Sequence, residues 1–438
     1  MFDPKVASGL PQPGDWQGGD GLRRLQQRRL PEAVRWACRV PANRDRVAAA
    51  VETLEDLSRI PTIDKEDLRA AYPFGLAAVD REEIATYHES SGTSGTPTSS
   101  FFTTDDWADV VSRFTRNAVG VTARDTLLVR TPYAMLTTGH QAHLAGLFRG
   151  AMVVPADNRS AVVTHARVVR LLRELAVTVA WCLPTECLLW AAAARAAGLR
   201  PDTDFPALRA FVVAGEPLGE ARRRRIERLW GVPVFQDYGS TETGSLAGSC
   251  PAGRMHLWAD RFVAQVHDPA TGRDALTGTG ELVITTLYRR AMPLLRYNLR
   301  DLVRISDAEC PCGLDLPTVQ VLGRQHGGVP VSGVPVTPQQ LEDAVFGLPP
   351  EWEVLFWRAR STGEALHLQV EVAPEHQADA ARTLRETLRE RLGVRVRVQP
   401  VPPGAMVPRD ALRTMPRFVK PRSLFARDED WDQAVSYW

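Results

Sequence analysis

Tyr87-His88-Glu89-Ser90-Ser91-Gly92-Thr93-Ser94-Gly95-Thr96-Pro97-Thr98 is the stretch of this 438-residue chain whose residue types speak most directly of chemistry. Gly92 and Gly95 open backbone conformations closed to other residues. Successive amide N–H groups can therefore converge, and the hydroxyls of Ser90, Ser91, Thr93, Ser94 and Thr98 add further donors. Phosphate oxygens are what such a nest usually holds. The same composition also suits a flexible Ser/Gly linker. No Gly-Lys-Ser/Thr follows at the spacing of a Walker A loop, so the stretch takes its meaning from what accompanies it.

Three further segments follow in order. Gln236-Asp237-Tyr238-Gly239-Ser240-Thr241-Glu242 comes after an apolar run, Val232 to Phe235, that reads as a buried strand. Leu295-Arg296-Tyr297-Asn298-Leu299-Arg300-Asp301 is next, and then Gly323-Arg324 opens a Gly/Pro-rich stretch. A carboxylate such as Glu242 can hold Mg2+, a hard cation that seeks oxygen ligands together with phosphate. Taken singly, Asp-Tyr-Gly also suits a strand end turning into a loop, and Asp301 a solvated turn.

With these motifs in this order the chain resembles the AMP-forming adenylate enzymes, on the branch of the phenylacetate–CoA ligases and their relatives. Leu54-Glu55-Asp56-Leu57, Ile60-Pro61-Thr62-Ile63-Asp64-Lys65-Glu66-Asp67-Leu68-Arg69 and Tyr72-Pro73-Phe74-Gly75 are similar to that branch's N-terminal signature, so the likeness runs from about residue 50 to the C-terminus. The resemblance implies ATP-dependent activation of a carboxylic acid to an acyl-AMP, release of pyrophosphate, and transfer to coenzyme A. Relatives that pass the acyl group to an amine or to a carrier-protein thiol are the alternative it leaves.

Both reactants of adenylation are anions, so a site must neutralise charge and align them. By resemblance, Ser90 to Thr98 wraps the β- and γ-phosphates, Glu242 holds Mg2+ and Thr241 contacts the α-phosphate, while Gly239 and Ser240 belong to the same nucleotide motif. Tyr238 stacks on the adenine, Asp237 accepts from its exocyclic amine, and Gly215-Glu216-Pro217 lies beside it. Asp301 chelates the ribose hydroxyls, Arg324 adds a charged contact near ribose and α-phosphate, and Lys420 reaches the carboxylate and α-phosphate. Three positions depart from the family pattern: Thr96 stands where a lysine is usual, His326 where an Asp is usual, and Pro421 follows Lys420. Lysine occurs only at Lys5, Lys65 and Lys420, arginine supplying the other fifty of 53 basic residues. A lysine that survives such replacement points to a need for an ammonium; Lys420 also suits an exposed surface position.

The acid's pocket falls, by the same resemblance, near Tyr133-Ala134-Met135-Leu136, Gly139-His140-Gln141-Ala142-His143 and Ala214. Aromatic and thioether walls favour an aromatic or short apolar acid, and the resemblance implies an aromatic or aryl-acetic one. His140 and His143 suit either contact with a polar substituent or an ordinary helix start. Cys250, His256, Cys310 and Cys312 supply three thiolates and an imidazole, the set that closed structural zinc sites use. Unpaired buried cysteines are the other reading, and Cys38, Cys182 and Cys187 read as core.

The elements that must position these groups follow from pattern. Arg23 to Cys38, Arg44 to Leu57 and Lys65 to Ala71 read as helices. From Thr126 strands and helices alternate: strands at 127–129, 151–155, 177–183 and 208–214, helices at 139–149, 163–175 and 186–197, the signature of parallel sheet. After Asp260 the texture is antiparallel, with strands at 261–267 and 281–286. Segments 351–358, 365–372, a helix over 376–392 and 394–399 make a small α+β unit. The expected fold is α/β: an N-terminal adenylation domain, 1–323, of parallel αβ-layered sheets with a small β-barrel-like antiparallel part, and a small mobile α+β C-terminal domain, 324–438, hinged near Gln325 to Pro330. Formal net charge is +1, so nothing favours nucleic acid or a membrane surface. No apolar run approaches the ~20 residues of a spanning helix, and Met1 to Gly21 lacks the apolar core of a secretory signal. A cytoplasmic enzyme, with room for a homodimer, is the expectation.

Overall fold

A computed structural model describes residues 9–47, 50–90, 97–324, 328–414 and 422–432 of the protein. Its contacts divide the chain into two compact units, one of residues 1–123, 132–150 and 235–325, the other of residues 124–131, 151–234 and 326–438.

The first unit opens with the helix Gly18–Ala37, which buries Leu22, Leu25, Leu30, Ala33, Val34 and Ala37 on one side. That three- and four-residue spacing is what a core-facing helical stripe requires. Among the described residues the predicted helix from Arg44 to Leu57 does not form; a short helix Pro41–Arg44 and a 3-10 turn Glu55–Arg59 frame the segment instead. The Asp56 carboxylate accepts from the Glu52 and Thr53 N–H groups, a local bond that competes with a helical ladder. Helix Lys65–Ala70 starts where expected, with Asp64 and Asp67 making a capping box.

Strands Thr86–Ser90 and Thr98–Phe102 pair antiparallel, with Ser90 opposite Thr98, so the two ends of the hydroxyl-rich stretch lie side by side. The antiparallel sheet runs in the order Arg273–Ala275, Phe262–Asp268, Gly278–Thr286, Tyr297–Ser306, Thr318–Arg324, Met255–Leu257, Gly244–Ser249 and Val234–Ser240. Register shifts fall between Tyr238 and Gly239 and between Leu302 and Val303. Such bulges re-aim side chains, and here they sit in or beside two of the motif segments. Helices Thr104–Phe114 and Thr137–Phe148 complete the unit.

In the second unit four parallel strands lie in the order Met152–Pro155, Thr126–Val129, Val179–Cys182 and Ala210–Val213, with helices His165–Glu174, Pro184–Ala196 and Glu220–Trp230. Its strands Val179–Cys182 and Ala210–Val213 are buried because helices flank them: Trp181 and Phe211 are fully enclosed, as is Trp190 of helix Pro184–Ala196, while the edge strand Met152–Pro155 is partly exposed. The same unit holds helix Pro338–Val345 and a four-stranded sheet, Arg395–Val401, Ala365–Glu371, Trp357–Ser361 and Leu424–Phe425, backed by helix Gln377–Leu392. Of the predicted 351–358 segment only the end is strand; Pro350–Trp352 forms a 3-10 turn.

Candidate active site

Glu242 is the pivot of the first unit. It lies in the turn between strands Val234–Ser240 and Gly244–Ser249 and is 3% exposed. Gly239 faces the carbonyl of Gly244 so closely that an added Cβ would lie 2.1 Å from its oxygen, which only glycine allows at this turn. The Thr98 hydroxyl donates to Glu242 Oε1 at 2.8 Å, and Ser90 Oγ bonds Thr98 Oγ1 in turn. Ser100 Oγ donates to the Thr241 carbonyl at 3.1 Å. The two ends of the hydroxyl-rich stretch are thus tied to the Thr241-Glu242 motif by side-chain hydrogen bonds. Ser91, Gly92, Thr93, Ser94, Gly95 and Thr96 lie outside the described residues, as do His326 and Lys420.

A cation of which no role was expected stands here as well. Lys65 Nζ is 3.9 Å from Glu242 Oε1. It opens the capped helix Lys65–Ala70, and that helix is fixed by backbone: the Ile63 N–H donates to the Arg296 carbonyl and the Asn298 N–H to the Ile63 carbonyl, at 3.0 and 2.7 Å. Arg300 adds a 3.0 Å ion pair to Asp64. Burial works to raise the Glu242 carboxyl, but the Lys65 ammonium and the Thr98 hydroxyl outweigh it and hold the group below its usual range. An ionised, oxygen-only ligand beside hydroxyls is what a hard divalent cation requires, so the residues present fit Mg2+. The rarity of lysine in the sequence was the signal for Lys65.

Beyond this corner the third and fourth motifs meet. The Tyr238 hydroxyl donates to Asp301 Oδ2 at 2.6 Å, and Arg324 Nε lies 3.4 Å from Asp301 Oδ1. Asp301 and Arg324 pair across neighbouring strands. Asp237 is buried and accepts from Ser245 Oγ at 2.6 Å; burial pushes its carboxyl up to about 7, with the Ser245 bond and the Arg113 charge opposing. Ser240 donates its N–H to Thr243 Oγ1.

The acid-pocket residues of this unit gather around an aromatic set. Gly139 packs against Tyr133: a Cβ there would meet the Pro132 carbonyl at 2.8 Å and the Tyr133 ring at 3.0 Å. His140 Nε2 bonds the Tyr133 carbonyl at 2.9 Å and the Tyr133 hydroxyl bonds His143 Nδ1 at 3.1 Å. Met135 takes φ +63° and is exposed, its carbonyl accepting from the Glu89 N–H at 2.7 Å; Ala134 precedes it. His88 and Trp107, to which the sequence reading gave no role, complete the set: the His88 ring is 5.4 Å from His140 and 5.6 Å from Trp107. Burial, together with His140 and Arg289, lowers His88 to about 4, so it is neutral at physiological pH. Ala214, Gly215, Glu216 and Pro217 fall in the second unit. There Arg222, itself buried, donates to Glu216 Oε2 at 3.0 Å and to Glu342 Oε1 at 3.1 Å.

Cys250, His256, Cys310 and Cys312 come together as predicted, their ligand atoms all within 4.8 Å of one another. Cys250 Sγ is 3.7 Å from Cys310 Sγ, and Cys312 Sγ 3.3 Å from His256 Nε2. Sulfurs bound to one tetrahedral zinc stand about 3.8 Å apart, given a bond of about 2.3 Å. His256 Nδ1 is 2.8 Å from the Leu316 carbonyl, so Nδ1 carries the proton and Nε2 the lone pair a metal needs. The residues fit zinc.

The family model of AMP-binding enzymes matches residues 32–286. The chain belongs to the AMP-binding enzyme family. It is 32% identical to a phenylacetate-coenzyme A ligase of Thermus thermophilus over 92% of this chain and 96% of that one. It is also 32% identical to a phenylacetate-coenzyme A ligase of Escherichia coli strain K12 over 74% and 76%. Among solved structures, 2-hydroxyisobutyryl-CoA ligase in complex with 2-HIB-AMP superposes with a TM-score of 0.84 at 22% identity, over 100% of this chain and 97% of that one. This AMP-binding enzyme therefore shares the mixed α/β fold of those ligases. No helix among its described residues is long and apolar enough to cross a membrane.

Proposed function

We propose that the protein is an AMP-forming acid–CoA ligase acting on an aromatic or aryl-acetic acid. The observation that carries this reading is the meeting of Thr98, Glu242 and Lys65 in one corner, with Tyr238, Asp301 and Arg324 joined beside it. In the reaction a carboxylate oxygen attacks the α-phosphorus of ATP, the new P–O bond forms, and the bond to pyrophosphate breaks. The chain's part is to hold two anions together and to favour charge on the leaving group. Asp301 grips the ribose, Tyr238 covers the adenine, and Arg324 and Thr241 attend the α-phosphate. Lys65 supplies the ammonium that the hydroxyl stretch lacks at Thr96. Mg2+ held by Glu242 would contribute Lewis acidity at the phosphate oxygens. Tyr133, His88, His140 and Met135 bring aromatic and thioether side chains to the expected place of the acid, which suits an aryl group.

Coenzyme A is the acceptor we favour, since relatives that match over 92% and 90% of this chain are named phenylacetate-coenzyme A ligases. The division into an adenylation domain, 1–323, and a moving domain, 324–438, with Lys420 serving the first half-reaction, belongs to the same proposal. So do a cytoplasmic location and a structural zinc at Cys250, His256, Cys310 and Cys312. The test is pyrophosphate release from ATP with a panel of aryl acids, followed by addition of CoA and mass identification of the thioester. A panel that gives no acid-dependent release ends the proposal. Metal analysis of protein purified without chelator should find about one zinc per chain; none would remove that site.

A further inference from the structure

The four-stranded sheet near the C-terminus has two unlike faces. Trp357, Ala359, Leu366, Leu368 and Val370 are buried in the core of the second unit. The alternate residues form the other face, and the strand register sets them in rows. Arg360 pairs with His367 and His367 with Arg397; Arg358 pairs with Gln369 and Gln369 with Gln399; Arg395 pairs with Ala365.

Part of this face is already covered by the chain itself. Trp431 lies with its ring 4.6 Å from the guanidinium carbon of Arg358, 5.0 Å from that of Arg360 and 4.6 Å from the His367 ring. Asp432 takes Arg358 at 2.9 Å. Arg395 and Arg397 stand exposed, and neither they nor Arg360 have a carboxylate partner among the described residues. Burial together with Arg397, Arg360 and Arg358 lowers the pKa of His367, as an electropositive surface demands.

We infer that this open half of the sheet face, Arg360, Arg395 and Arg397 bordered by Trp431, is a subsite for the phosphorylated nucleotide end of coenzyme A. The inference rests on the coenzyme A reading given above. Strand spacing makes the patch roughly 10 Å by 7 Å, far below the ~800 Å² per partner of a stable protein interface. A small body carrying several phosphate charges fits it, and the guanidinium fork matches phosphate geometry. Coenzyme A brings a 3′-phosphate and a 5′-diphosphate on one nucleoside; 5′-nucleotides such as ADP share only the second.

The test compares KM for CoA and for dephospho-CoA in the wild type and in Arg395→Gln/Arg397→Gln. Wild type should favour CoA by about tenfold or more, and the double variant should bring that ratio near unity through KM, with kcat held. The Arg395→Lys/Arg397→Lys variant should keep most of the discrimination. Adenosine 3′,5′-bisphosphate should compete with CoA more strongly than ADP does, and lose that advantage in the glutamine variant. An unchanged ratio in that variant overturns the inference alone. Equal competition by ADP reduces the patch to a general anion surface and overturns it too. So does loss of transfer to a purified acidic carrier protein with CoA kinetics intact. A wild type that releases pyrophosphate yet makes no thioester removes the coenzyme A reading itself.

Discussion

Glu242 and Glu342 are both buried carboxylates beside a single cation, and they are driven in opposite directions. Glu242 is held below its usual range against the effect of burial, because Lys65 and the Thr98 hydroxyl are its own. Glu342 is pushed up to about 7 by burial, and Arg222 cannot hold it down while Glu216 draws on the same guanidinium and Asp343 adds a like charge. Burial alone does not decide the charge of a carboxylate; the number of acids sharing each cation does. Glu242 is thereby kept ready for a metal-bound phosphate. Glu342 takes up a proton near neutrality, where nothing asks it to ligate.

The contrast can be broken from either side. Glu242→Gln keeps the shape and removes the charge, so pyrophosphate release should fall by about a hundredfold or more; a rate within a few-fold of wild type would deny the carboxylate its role. Lys65→Met should lower kcat/KM for ATP by roughly tenfold to a hundredfold and move the acid limb of the rate profile upward, since Glu242 loses its main opposing charge. The acid limb should stay in place if Lys65 is only a surface lysine.

Stability should separate the two sites with smaller effects. A carboxyl whose folded pKa is raised binds more protons folded than unfolded between its unfolded value near 4.5 and about 7. Its contribution is complete below that window and lost as pH rises through it. Glu342→Gln should flatten this part of the Tm-against-pH curve by a few degrees. His88 behaves with the opposite sign. Its folded pKa, about 4, is below the unfolded 6.5, so stability falls as pH drops from about 6.5 toward 4. His88→Gln should remove that slope, and a slope unchanged by the variant would place the titrating group elsewhere.

Much of the candidate site was legible because its motifs are local. Tyr238, Asp301 and Arg324 each lie in a short recognisable segment; strand register then joins Asp301 to Arg324, and a side-chain hydrogen bond brings in Tyr238. The cysteine cluster was legible from residue type alone, since three thiols and an imidazole have few other reasons to assemble. Partnerships made across long spans were not legible: Thr98 meets Glu242 from 144 residues away, and no spacing rule links Lys65 to that pair. The parallel strands of the second unit stood out through their apolar runs. The helix predicted over Arg44 to Leu57 did not, because apolar periodicity outweighed Thr53 and Asp56, whose side-chain bonds turn the backbone aside.

The two main-chain hydrogen bonds through Ile63 carry a consequence for how this stretch tolerates change. They anchor the lysine-bearing helix through main-chain atoms alone, while the side chains of Arg296 and Asn298 answer to other buried partners, Asp274 at 2.7 Å and Glu281 at 2.6 Å. Proline at 63 or 298 would delete one of the amide donors and cut the tether. The place of the ammonium thus depends on two main-chain donors, and mutational scans should find proline substitution at either position to be the weak point of the bridge.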